Sequence, residues 1–178
     1  TGGWHDATDY LQYTTTSANA IYQMSLAFDD NPSAFIDSYS ANGLPGSNKI
    51  PDVVDEIKFG VDWLLKMNPN KYEYYNQIAD DRDHIGYRLP NNDKVIYDSL
   101  LNGRPVYFIN GKKQGLGKFK NRSTGKASTV AKFASSYAKS SKVLNEYYPE
   151  LSKKLQIKAI EAYNYAKKHP GVSQTAPH

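Results

Sequence analysis

The sequence predicts an all-α protein, on three observations. Four segments repeat apolar residues at helical spacing, one of these is apolar on two faces, and strand-type alternation does not persist elsewhere. The first helix is predicted over about residues 14–29, with Ser17, Ala20, Ile21, Met24, Ala27 and Phe28 on one stripe; Asn31-Pro32 stops it. The second is predicted over 51–68. Pro51 suits a first helical position, and Asp52, Asp55 and Glu56 suit the positive end of the helix dipole. Val53, Val54, Ile57, Val61, Leu64 and Leu65 form one apolar face and Phe59, Trp63 and Met67 a second, so this helix is expected to be covered on two sides in a layered helical fold. The third is predicted over 125–145, where Ala127, Val130, Ala131, Ala134, Tyr137 and Ala138 permit close approach of a neighbour. The fourth is predicted over 149–168, with Leu151, Leu155, Ala159, Ala162, Tyr163 and Ala166, and ends at His169-Pro170-Gly171.

Residues 69–124 contain no convincing helix. A connection of that length is functional or disordered, and the aromatic and apolar residues that persist through it argue against disorder. Val106-Tyr107-Phe108-Ile109, Asn110-Gly111 and Lys112 onward read as a small hairpin with a tight turn.

The chain has 178 residues, about one domain's worth. With 39% hydrophobic and 22% charged residues it can build a core, and no run approaches the roughly 18 apolar residues of a membrane span. The absence of cysteine excludes disulfides, Cys-ligated zinc and thiol nucleophiles. The 15 tyrosines supply flat faces with polar tips, suited to sugars or nucleobases as well as to packing. The net charge of +4 hides an asymmetry: residues 1–93 hold 6 Lys/Arg against 14 Asp/Glu, and residues 94–178 hold 16 against 4. The basic half suits a polyanion; equally, the halves can attract each other, or the spread-out lysines can coat solvated helix faces. Neither end closes an element, and the chain reads as a piece of a longer protein.

Two constellations carry chemistry. In Trp4-His5-Asp6-Ala7-Thr8-Asp9-Tyr10, two carboxylates three residues apart stand just ahead of a helix. Side by side they would drive their pKa values apart, one serving as base and the other supporting it; alternatively one caps a turn and the other is solvated. Asp80-Asp81-Arg82-Asp83-His84 can hold a hard cation, orient sugar hydroxyls, form a salt-bridge cluster around Arg82, or be solvated. No second carboxylate cluster stands at EF-hand spacing. No phosphate-binding glycine loop and no nucleophile elbow is present.

Thr1-Gly2-Gly3-Trp4-His5-Asp6-Ala7-Thr8-Asp9-Tyr10 resembles the aspartate motif of the family 9 glycoside hydrolases, inverting endoglucanases whose usual form is Gly-Gly-Trp-Tyr-Asp-Ala-Gly-Asp. It differs at His5, where Tyr is usual, and at Thr8, where Gly is usual. Ile50-Pro51-Asp52-Val53-Val54-Asp55-Glu56 with Trp63-Leu64-Leu65-Lys66-Met67 resembles the helix that follows in that family, and Asn76 to His84 its substrate loop. Arg104-Pro105-Val106-Tyr107-Phe108 and Lys120 to Ser128 resemble a Bacteroidetes-type subgroup. The resemblance implies an (α/α)6 barrel of six inner and six outer helices. Residues 1–178 would be the N-terminal part of one catalytic domain, lacking its first helix and its C-terminal part. It implies Asp9 as general base, Asp6 as a holder of the attacking water and His84 as a sugar contact, with Asp83, Arg82 and Tyr87 as neighbours in substrate binding. The family's later histidine motif and its general-acid motif have no counterpart here. The partner implied is a β-glucan and the setting secreted or periplasmic, with no cofactor, metal or nucleic acid. An aromatic groove is expected to run past Asp6, Asp9 and His84, and apolar surface left by the missing helices to promote self-association. Against this stand two other readings: a non-catalytic carbohydrate-binding helical piece, and a basic nucleic-acid-binding helical domain.

Overall fold

The computed structural model describes residues 2–84, 86, 87, 89–94, 103–114 and 120–175. Four helices carry the fold: α1 (Thr14–Asp30), α2 (Asp52–Lys66), α3 (Ala127–Leu144) and α4 (Pro149–Lys168). A small sheet of β1 (Gln12–Tyr13), β2 (Tyr75–Ile78) and β3 (Val106–Phe108), in that order, joins the loops. Among the described residues no helix is long and apolar enough to cross a membrane.

The helices form two antiparallel hairpins, part of an (α/α)6 barrel. In the first, the Thr14 hydroxyl at the start of α1 donates to the carbonyl of Tyr75, whose own amide donates to the Met67 carbonyl at the end of α2. In the second, the first amides of α3, Lys126 and Ala127, donate to the carbonyl of His169 at the end of α4. α1 and α3 run in the same direction. Ser136 donates to the Ala18 carbonyl at 2.7 Å, and farther along, Lys139 and Lys142 close on Asp29. The acidic and basic halves of the chain are thus drawn together at Asp29.

The core lies between these layers, built on Ile21, Ile57, Val61, Leu64, Phe133, Tyr137, Leu144 and Leu155, all fully buried. α2 is covered on two sides, as its sequence implies, except that Phe59 stays 43% exposed while Trp63 and Met67 are buried. The buried stripe of α1 is rotated from the expected one: Ala18 and Ser25 are inside, and Ala27 is outside. Small polar residues line the α3–α4 seam, where Ser152 donates to the Ser141 carbonyl at 2.7 Å. Such residues let the helices approach but carry no apolar signal in the sequence.

Of the hairpin expected from Val106 through Lys112 onward, residues 115–119 lie outside the described residues. β3 pairs antiparallel with β2, and among the described residues 112–114 do not pair with it. The turn chemistry is present, since Asn110 Oδ1 accepts the Lys112 amide at 3.1 Å. β2 offers β3 an aromatic partner in Tyr75, whose ring stacks on Phe108 at 4.6 Å. Beyond the turn, Gln114 exchanges hydrogen bonds with Asn121 instead.

Candidate active site

The N-terminal loop is fixed to α2 before it reaches its carboxylates. Gly3 has φ +70°, and a Cβ there would lie 2.6 Å from the Trp63 ring, so only glycine fits. Trp4 donates from Nε1 to Glu56 at 2.6 Å and lays its ring edge-on to Phe59 over Gly60. The Asp6 amide then donates to the Leu11 carbonyl at 2.8 Å, closing a loop whose tip carries Ala7 and Thr8. Within it Asp6 is exposed and Asp9 is buried. Asp9 Oδ1 accepts the Leu11 amide at 3.0 Å, a local Asx-type bond that sets the carboxylate's direction.

Asp9 Oδ2 faces His84, with Nε2 at 3.6 Å. The other ring nitrogen, Nδ1, lies 3.4 Å from Asp81. The two chain segments singled out in the sequence therefore meet at the Asp9–His84 pair. The sheet is what joins them: β1 follows Asp9, β2 precedes Asp80, and Gln12 pairs in register with Ile78. Ala79, between β2 and the acidic run, is fully buried and holds φ +68°, a left-handed conformation costly for alanine.

The run from Asp80 to His84 is an ion-pair cluster, one of the alternatives open from sequence. Arg82 grips the fully buried Asp80 with Nε at 2.8 Å and Nη2 at 2.7 Å, and the Tyr107 hydroxyl donates to the same carboxylate at 2.5 Å. Burial pushes Asp80 up, but these three donors outweigh it and hold the group down at about 2. Burial, and then the bond to Asp80, push the Tyr107 phenol up to about 12. Asp83 is also fully buried and accepts from Arg104 Nε at 3.2 Å. Arg104 also pairs with Asp93 and sits 4.6 Å over the Tyr10 ring. Arg82 and Asp83 are therefore engaged in ion pairs, Arg82 half-buried and Asp83 fully buried, whereas Tyr87 is 74% exposed. Among the described residues no three metal-ligating side chains converge.

Tyr13, Arg104 and Tyr107 belong to this cluster but carried no site signal by spacing. Tyr13 shows how tightly the acids gather. Its phenol is pushed up to about 12, first by burial and then by Asp81, Asp6, Asp9 and Asp80 in turn. Among the described residues a cleft of about 780 Å³ is lined by Trp4, His5, Tyr39, Phe59 and Glu56 among others; Asp6, Asp9 and His84 are not among its lining residues.

Two helical hairpins with an acidic cluster in the loops at one end define a class, the (α/α)6 barrels, of which this chain is a fragment. The family follows from comparison. The family model "Glycosyl hydrolase family 9" matches residues 1–178, and the chain belongs to that family. It is similar to the xyloglucan-specific endo-beta-1,4-glucanase BoGH9A of Bacteroides ovatus, 28% identical over 94% of this chain and 25% of that protein. It is similar also to endoglucanase D of Acetivibrio thermocellus, 25% identical over 96% of this chain and 24% of that protein. Among solved structures, a metagenome-derived family 9 endoglucanase superposes with a TM-score of 0.66 at 25% identity, covering 96% of this chain and 26% of that one. A Bacteroides ovatus family 9 protein superposes with 0.65 at 27% identity, covering 93% and 26%. The chain spans about a quarter of the length of these relatives.

Proposed function

We propose that the protein hydrolyses β-1,4-glucosidic bonds of cellulose or a related β-glucan, with inversion, outside the cytoplasm where such polymers lie. Asp9 is the general base that takes a proton from the attacking water, Asp6 helps hold that water, and His84 contacts the sugar beside the bond. Arg82, Asp83 and Tyr87 belong to the same substrate loop: the first two hold it, and the exposed ring of Tyr87 faces sugar. The general acid comes from outside these 178 residues, which form the N-terminal part of the catalytic domain. Inversion needs base and acid on opposite faces of the sugar, roughly 6.5–9.5 Å apart, with water between base and anomeric carbon.

One observation carries the reading. Asp9 is a buried carboxylate with one oxygen tied to a backbone amide and the other turned to His84. A base so held keeps its aim without rearranging during reaction. The family membership and the endoglucanases among its relatives support the substrate class.

The test is Asp9→Asn in the full-length protein. Sugar release from soluble β-1,4-glucan is expected to fall by at least about 10²-fold, with glucan binding nearly unchanged, because the carboxamide keeps the shape and loses the base. Asp6→Asn is expected to cost less. The first product, followed by NMR, is expected as the inverted anomer. A retained anomer, or an Asp9→Asn protein as active as its parent, overturns the proposal.

A further inference from the structure

Asp9 and His84 meet just outside the sheet, across two loops. The residue that follows Asp9 and the residue that precedes His84 share one partner. The Arg104 guanidinium lies 4.6 Å over the ring of Tyr10 and donates from Nε to Asp83 at 3.2 Å, while its Nη2 pairs with Asp93. Asp83 is fully buried and Tyr10 only 9% exposed, so neither loop can shift without disturbing this contact. Arg104 itself stands on the backbone that enters β3, where the neighbouring Pro105 carbonyl accepts the Ala79 amide. A planar fork that stacks on a ring and pairs with two carboxylates demands a specific position from each, which a lysine cannot do.

We propose that Arg104 is a positioning residue that sets the spacing between Asp9 and His84. It acts through Tyr10 on the base and through Asp83 on the sugar contact. This rests on the glucanase reading of the site. Moving the base by a fraction of an ångström harms the aim at water more than it harms glucan binding, so the effect falls on kcat.

The experiment measures kcat, KM and thermal midpoint of the full-length protein on soluble β-1,4-glucan for Arg104→Lys and Asp93→Asn, with Asp9→Asn alongside. Arg104→Lys is expected to stay folded, to lose about 10- to 100-fold in kcat and to keep KM within about twofold. Asp93→Asn, which leaves the Tyr10 and Asp83 contacts, is expected to lose less kcat in the same pattern. It serves as the test if Arg104→Lys does not fold. Parental kcat in Arg104→Lys, a change in KM alone, or a loss matched by the fraction unfolded overturns the role of Arg104. If Asp9→Asn is inactive while both other variants keep full kcat, the positioning proposal fails and the base assignment stands. If Asp9→Asn is fully active, the underlying reading fails.

Discussion

Gly60 lies in the middle of α2, where glycine costs helix stability, and the Trp4 ring explains why it is there. A Cβ at Gly60 would fall 2.2 Å from that ring and 2.8 Å from Ile21. Gly60→Ala is expected to destabilise the protein by about 1–3 kcal/mol, read from urea unfolding, because an indole cannot give way as a flexible chain can. It is also expected to loosen the loop that carries Asp6. Asp80 makes a pH prediction. Its folded value of about 2 lies below the 3.8 of a free carboxyl, so its pairing stabilises the fold above about pH 4 and is lost as pH falls from there toward 2. Asp80→Asn is therefore expected to be about 2 kcal/mol less stable than its parent at pH 7, with the gap closing on acidification. A gap that stays constant down to pH 2 would refute the pairing as its source. At this scale the sequence named Asp9 and His84 through motif and chemistry, and it named a cluster around Arg82. It could not name Arg104, whose partners come from three separate stretches, nor Tyr13, whose spacing fits plain packing equally well.

Periodicity located all four helices because each must bury a stripe, and the ends shifted by no more than two residues. Which residues fill the stripe was less legible. Ser136 and Ser152 are buried with hydroxyls bonded to carbonyls of a neighbouring helix, and Ser140 and Ser141 with hydroxyls bonded back to their own, roles that apolar counting does not see. The sheet was hidden further, since β2 and β3 have four and three residues and find each other across a long connection. Phe133 of α3 meets the Tyr74 ring edge-on at 5.3 Å and is fully buried. Phe133→Ala is expected to cost about 3–5 kcal/mol, measured by denaturant unfolding. Substitution of the exposed Phe59 is expected to cost far less.

For the molecule as a whole, the charge asymmetry resolves in part into internal attraction, with Lys139 and Lys142 on Asp29. One face of α4 is different: Ile157, Ile160 and Tyr163 are each more than half exposed. In the isolated 178-residue chain this face is expected to promote association, visible as a concentration-dependent mass in light scattering. A clean monomer at high concentration would refute it. The same isolated chain is expected to release negligible sugar from β-1,4-glucan, since a base without its acid forgoes roughly 10²–10⁴-fold. The small sheet has a consequence for how the chain folds. α3 and α4 are joined by a short turn, whereas β1, β2 and β3 are far apart in sequence and meet only after long stretches of chain have been brought together, which is slow and entropically costly. The helices should therefore form the folding nucleus and the Asp9–His84 pair should assemble late. In stopped-flow measurements Phe133→Ala should slow refolding, while Tyr107→Phe should leave refolding alone and hasten unfolding. The reverse pattern would put the sheet in the nucleus. Late assembly leaves the chemistry of this protein on the part that opens first, so moderate denaturant should abolish substrate binding while the helical signal is still intact.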